Sequence, residues 1–185
     1  MKILAFMANG TEDSELIGTL SLIKRAGVER YLISVEDTLT LKGSHGNTIV
    51  CDNMLKDLSI KELLNYDAIF IPGGKRGVDT MKSNKDLLKL ISEYNKRGKP
   101  LFSICAGPAV LNKAGVMDGI NFTCYDGFED EIKKGIYHKE GVVKDKNIIT
   151  SRSVAYVTPF GLEIIKYLIS EEESLRVKKT ILIEE

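Results

Sequence analysis

The sequence predicts an α/β protein built on a mainly parallel sheet with helices on both faces. Two observations carry that prediction. Apolar runs of strand length recur without polar alternation, as strands covered on both faces require, and segments of helical pattern lie between them. Composition sets the class: 185 residues, 43% hydrophobic and 28% charged, suit a single globular domain over 1–185 with a real core.

Taken in order, the strands are expected at Ile3 to Met7, Tyr31 to Val35, Ala68 to Ile71, Leu101 to Ile104 and Ile148 to Thr150, several of them rich in Ile, Val or Phe. Helices are expected over Glu12 to Ala26, Ser59 to Leu64, Asn84 to Arg97, Gly107 to Ala114 and Thr158 to Ser170. LTLKGSHGNTIVCD, residues 39 to 52, interrupts the alternation with two short β-patterned runs around a glycine-rich turn, a hairpin appended to the sheet. EGVVKDKNIITS repeats the pattern around Asp145-Lys146-Asn147. The final EEESLRVKKTILIEE reads as a short helix and a strand-like tail.

Charge and cysteine usage exclude several functions. Lys+Arg and Asp+Glu both total 26, and no basic block or aromatic-basic stripe marks a nucleic-acid surface. MKILAFMA is too short for a signal-peptide core and breaks into the acidic TED, and no apolar stretch reaches the roughly 20 residues of a membrane span. A cytoplasmic protein is expected, with no membrane partner. Cys51, Cys105 and Cys124 form no CxxC pair, and His45 and His138 are the whole histidine complement. Neither a disulfide framework nor a metal site is encoded.

In an open parallel sheet, ligands collect beyond the carboxyl ends of the strands. At the first such place, FSICAGPAV, a buried strand ends at Cys105 and Gly107-Pro108 begins a helix. That sharp turn exposes its apex side chain to backbone N–H groups and a helix dipole, which lower a thiol pKa. Cys105 is therefore a candidate nucleophile, although a free cysteine also serves as a small buried apolar group. At the second, IFIPGGKRG, Gly73-Gly74 lets backbone N–H groups approach an oxyanion, while GGKRG lacks the spacing of either phosphate-binding glycine motif. At the third, ANGTEDSELIG, helical projection puts Glu12 and Glu15 on the arc of Leu16, Thr19, Leu20, Leu22, Ile23 and Ala26, with Ser14, Ser21 and Arg25 opposite. Glu12 and Asp13 suit the helix dipole. Glu15 sits deeper, where burial keeps a carboxyl protonated and able to act as acid or base. Cys51 and Cys124 are read as packing groups, and His138 as exposed.

Together, in this order, KILAFMANGTEDSE, KRAG, YDAIFIPGG, ICAGP and TSR resemble the ThiJ/PfpI superfamily, with its class I glutamine-amidotransferase-like fold, and within it the branch of the parkinsonism-associated protein deglycase. The resemblance implies a flavodoxin-like three-layer sandwich and a homodimer. Cys105 would be the reactive cysteine and Glu15 its hydrogen-bonded acid. Gly74 and Ala106 would supply the oxyanion N–H groups. His45, Tyr125, Arg25 and Arg152 are further pocket candidates, Arg25 resembling a position near the dimer interface. Ala106 stands where the peptidase-like branch has a histidine, and Tyr125 where other members carry an imidazole. A Cys-His-Glu triad is therefore not expected, which counts against an amidohydrolase or peptidase. The implied activity is glyoxalase or deglycase chemistry on α-oxoaldehydes, or on early glycation adducts of proteins or nucleotides, without metal or cofactor. The competing expectation is a redox sensor or chaperone of oxidative stress that works through oxidation of Cys105.

Overall fold

The computed structural model describes residues 1–183. The chain begins with β1 (Lys2–Met7), α1 (Asp13–Arg25) and β2 (Glu29–Ser34). A hairpin of β3 (Thr40–Lys42) and β4 (Thr48–Val50) follows, then β5 (Asn53–Met54) and α2 (Ile60–Leu63). Next come β6 (Ala68–Ile71), α3 (Lys75–Ser83), α4 (Lys85–Lys96), β7 (Leu101–Ile104) and α5 (Pro108–Lys113). The rest is β8 (Asn121–Phe122), β9 (Ile136–Tyr137), β10 (Val142–Asp145), β11 (Ile148–Ser151), α6 (Val157–Leu168) and α7 (Glu171–Thr180).

The main sheet has the order β10-β11-β7-β6-β1-β2-β5 and is parallel except where β10 meets β11. Every residue of β6, β7 and β11 is buried, which explains why these strands show no polar–apolar alternation, and the buried Ser103 of β7 is satisfied by donating to Ile71 O at 3.0 Å. Successive residues feed opposite faces. Leu4, Phe6, Ile69 and Ile71 join Val78 and Met81 of α3, Leu90 and Tyr94 of α4 and Val110 of α5. Ile3, Ala5, Met7 and Phe70 join Leu16, Leu20 and Ile23 of α1, Phe160 and Ile164 of α6 and Val177 of α7. The result is the expected flavodoxin-like three-layer sandwich. β1 pairs with both β2 and β6, so the winding reverses at β1, and ligand sites form at such a reversal.

The hairpin expected within residues 39–52 is present, and four local features refine or add to the expected pattern. β3 and β4 form a separate two-stranded sheet, and it is β5 that joins the main one. The β3–β4 loop is tied to the β1–α1 connection, with the Gly10 N–H donating to Lys42 O at 2.8 Å and the Ser44 N–H to Thr11 O at 2.8 Å. α3 was not expected, because KRGVDTMKS offers few apolar positions to a periodicity. Gly77 permits its close seat, since a Cβ there would lie 2.8 Å from Thr11 N. β8 and β9 form a short parallel pair. At the C-terminus α7 ends near Thr180 and residues 181–183 turn back onto its last turn through Ile181, Leu182 and Ile183 N–H groups, so no strand follows there; the last two residues of the tail lie outside the described residues. Among the described residues no helix is long and apolar enough to cross a membrane.

Candidate active site at the ends of β1, β6 and β7

β7 runs into Cys105, whose φ of 61° places a non-glycine residue in the left-handed region. Such a conformation costs on the order of 1 kcal/mol or more and survives only where its surroundings impose it. Here the Cys105 N–H donates to Ser151 O at 2.9 Å, its carbonyl accepts from Tyr125 N–H at 3.0 Å, and the Gly107 N–H closes the turn on Ile104 O at 2.9 Å. Pro108 opens α5, as its missing N–H allows. The side chain is thereby held half-buried at the strand ends.

Glu15 reaches the same point from α1. It is 1% exposed, its Oε2 accepts the Gly73 N–H at 2.9 Å, and its carboxyl is hydrogen-bonded to the Cys105 thiol. Burial pushes the Glu15 carboxyl up to about 7, helped by the nearby Glu12 charge and opposed by the hydrogen bonds from Cys105 and Gly73. Burial and the Glu15 carboxylate push the Cys105 thiol upward, against the pull of the Ala106 and Gly74 N–H groups on the sulfur. The sequence pointed to a lowered thiol pKa; burial reverses that whatever the state of Glu15, and the facing carboxylate adds to it while Glu15 is ionised. With the proton on Glu15, its repulsion disappears and the carboxyl becomes a donor to the sulfur. Two groups so close titrate as a pair, which holds a single proton once the pH is above about 7.

Around this pair, Glu12 Oε2 accepts the Glu15 N–H at 2.6 Å and caps α1. Asp13, expected to do no more than favour the helix dipole, is buried and accepts the His45 N–H at 2.9 Å. His45 Nδ1 lies 3.3 Å from Glu12 Oε1 and 3.5 Å from Asp13 Oδ2, with its ring largely exposed. The hairpin tip thus meets the start of α1. On the other side, Tyr125, Arg152 and Tyr156 line an opening of about 360 Å³. Arg152 is engaged by Asp126 at 2.7 and 2.9 Å, and its guanidinium holds that carboxyl below the usual range.

The sequence profile of the DJ-1/PfpI family matches residues 1–167. The chain belongs to the DJ-1/PfpI family. Its similarity to a deglycase of Pyrococcus horikoshii is 34% identity over 170 residues, 91% of this chain and 99% of that protein. Protein DJ-1 homolog B of Arabidopsis thaliana is 29% identical over 178 residues, but the 95% of this chain that aligns spans only 40% of that longer relative. The solved structure of Toxoplasma gondii DJ-1, oxidized, superposes with a TM-score of 0.90 at 28% identity, covering 100% of this chain and 99% of that one.

Within this DJ-1/PfpI chain the candidate residues divide. Cys105, Glu15, Gly74 and Ala106 converge, Tyr125 adjoins them through its backbone, and His45 stands at the hairpin tip beside Glu12. Arg25 is elsewhere: α1 runs back across the sheet, so its last turn lies at the opposite end from Glu15, and Arg25 lines a separate groove with Ile17, Arg30 and Val50. Arg152 lies at the opening but is neutralised by Asp126, which limits its pull on an anion. His138 is half-buried, its Nε2 2.8 Å from Asn121 Oδ1. Cys51 and Cys124 are 3% and 0% exposed, and burial pushes both thiols up to about 12. Gly73 is the residue the sequence undervalued. PGG marked a tight turn, but nothing local showed that its N–H would meet a carboxyl 58 positions away.

Proposed function

We propose that Cys105 is the nucleophile of a glyoxalase- or deglycase-type reaction on α-oxoaldehydes or early glycation adducts, with Glu15 moving the proton. The buried Glu15–Cys105 hydrogen bond carries this reading. Glu15 takes the thiol proton as sulfur adds to the aldehyde carbon, and the Gly74 and Ala106 N–H groups, on the sulfur in the free protein, take over the developing oxyanion. Glu15 passes that proton to the oxyanion, giving the neutral hemithioacetal. Again a carboxylate, it takes the proton of the former aldehyde carbon while the neighbouring carbonyl oxygen gains one, then returns it to the neighbouring carbon as the first hydroxyl loses its proton, which leaves a hydroxy-thioester. Water cleaves that ester, releasing the hydroxy acid and the thiol. The deglycase name of the Pyrococcus relative supports the substrate class. A Cys-His-Glu peptidase finds no such support, because His45 is placed on Glu12 and Asp13 and His138 on Asn121.

The test is conversion of methylglyoxal to lactate, before and after alkylation by one equivalent of iodoacetamide mapped by peptide mass. Turnover is expected to vanish in proportion to Cys105 labelling. A protein fully alkylated at Cys105 that still makes lactate overturns the mechanism.

A second reading is oxidation of Cys105 as a stress signal, supported by the oxidised state named for the Toxoplasma structure. Mild peroxide is then expected to add oxygen to the half-buried Cys105 before Cys51 or Cys124, as read by mass spectrometry. Prior oxidation of either buried cysteine would sink this reading.

A further inference from the structure

Lys75 and Arg76 of GGKRG have no task in the chemistry above. With Asn9 and Gly10 after β1 and Lys42 and Ser44 of the hairpin, they line a cleft of about 610 Å³, within the usual range for small-molecule sites. No carboxylate lines it. Lys42, Lys75 and Arg76 are exposed, and among the described residues none of them is in an ion pair. The acids nearby in the chain are occupied: Glu36 accepts both the N–H and the Nδ2 of Asn9 at 2.7 Å, and Asp13 holds the His45 N–H. The cleft is also held in shape. Lys42 N–H donates to Asn9 Oδ1 at 2.9 Å and its carbonyl accepts from Gly10, which fixes the hairpin backbone at Lys42 against the end of β1, while α3 carries the other two cations. Lys75 and Arg76 stand in the first turn of α3, where the helix dipole opposes positive charge, so an anion here relieves two repulsions at once.

We propose that this cleft binds the diphosphate or a similar phosphate-bearing group of a small molecule. A guanidinium residue and two ammonium residues, brought from two separate segments to the lining of one cleft, supply donors for phosphate oxygens and the charge to balance a diphosphate. The lining holds no aromatic ring on which bases could stack, and the chain has a formal net charge of zero, which favours a small molecule over a nucleic-acid strand. Lys75 directly follows Gly74, whose N–H touches the Cys105 sulfur, so the cleft borders the elbow.

Calorimetric titration with inorganic pyrophosphate tests the site. Lys75→Ala/Arg76→Ala keeps the Arg76 Cβ that faces Gly10 and is expected to raise Kd by at least about tenfold. Lys61→Ala/Lys89→Ala, in the basic groove between α2 and α4, removes the same charge and is expected to change Kd by less than about twofold, because exposed charges at a distance are screened. Cys105→Ala is expected to bind like wild type, so that this site and the carbonyl chemistry stand or fall separately. The proposal is overturned by an absence of saturable pyrophosphate binding, by equal weakening in both double variants, or by tighter binding of a single-stranded oligonucleotide than of pyrophosphate at the same salt.

Discussion

Glu15→Gln is expected to cut methylglyoxal turnover by about 10²- to 10⁴-fold while making the protein more stable at neutral and alkaline pH. The amide keeps the shape and can still accept the Gly73 N–H, but it cannot take the Cys105 proton. The stability gain follows from burial. The carboxyl moves from 4.5 in the unfolded chain to about 7 in the fold, so its contribution is fully present below pH 4.5 and is lost as pH rises through about 7. Forcing that charge into the interior costs up to about 3 kcal/mol at pH 8. Urea unfolding of both proteins at pH 8 and pH 4 checks this, with the difference expected to shrink toward zero at the lower pH. A variant that retains full turnover removes Glu15 from the proton path; one that is less stable than wild type at pH 8 removes the buried-charge account.

Gly73→Ala is expected to damage both properties, by about 10²-fold or more in turnover and by about 1–3 kcal/mol in stability. A Cβ at this position would lie 2.5 Å from Glu15 Oε2 and 2.7 Å from the Cys105 Cβ, and both neighbours are held by backbone contacts that leave little room to yield. The methyl group would therefore part the acid from the thiol. Lactate production and urea midpoints read the two effects separately. Wild-type values for both would mean that the pair tolerates displacement, and the shared-proton arrangement would lose its geometric basis.

The legible part of this protein is the part that depends on neighbours in the chain. Short, mostly apolar runs without alternation located β6 and β7 to the residue because strands buried on both faces need no polar alternation. The helical period of α1 turned Glu15 inward because the arc containing Leu16, Leu20 and Ile23 had to face the sheet. α3 escaped notice because KRGVDTMKS carries only two apolar side chains, Val78 and Met81, and the close glycine approach that seats it is made to Thr11, far away in the chain. Arg25, a pocket candidate through the resemblance alone, lines a separate groove within this chain, because which end of the sheet a helix end reaches is not a local property.

By itself, then, the sequence determined the alternating α/β order, the strand that ends at Cys105 and the inward face that carries Glu15, since side-chain periods of two and 3.6 are properties of adjacent residues. Only the tertiary structure decided that the Gly73 N–H would meet Glu15, that Asp126 would neutralise Arg152, and that Lys42 would join Lys75 and Arg76 around one cleft. Those outcomes rest on which strand ends lie side by side, and that is set by the sheet order, with its reversal at β1, rather than by spacing along the chain.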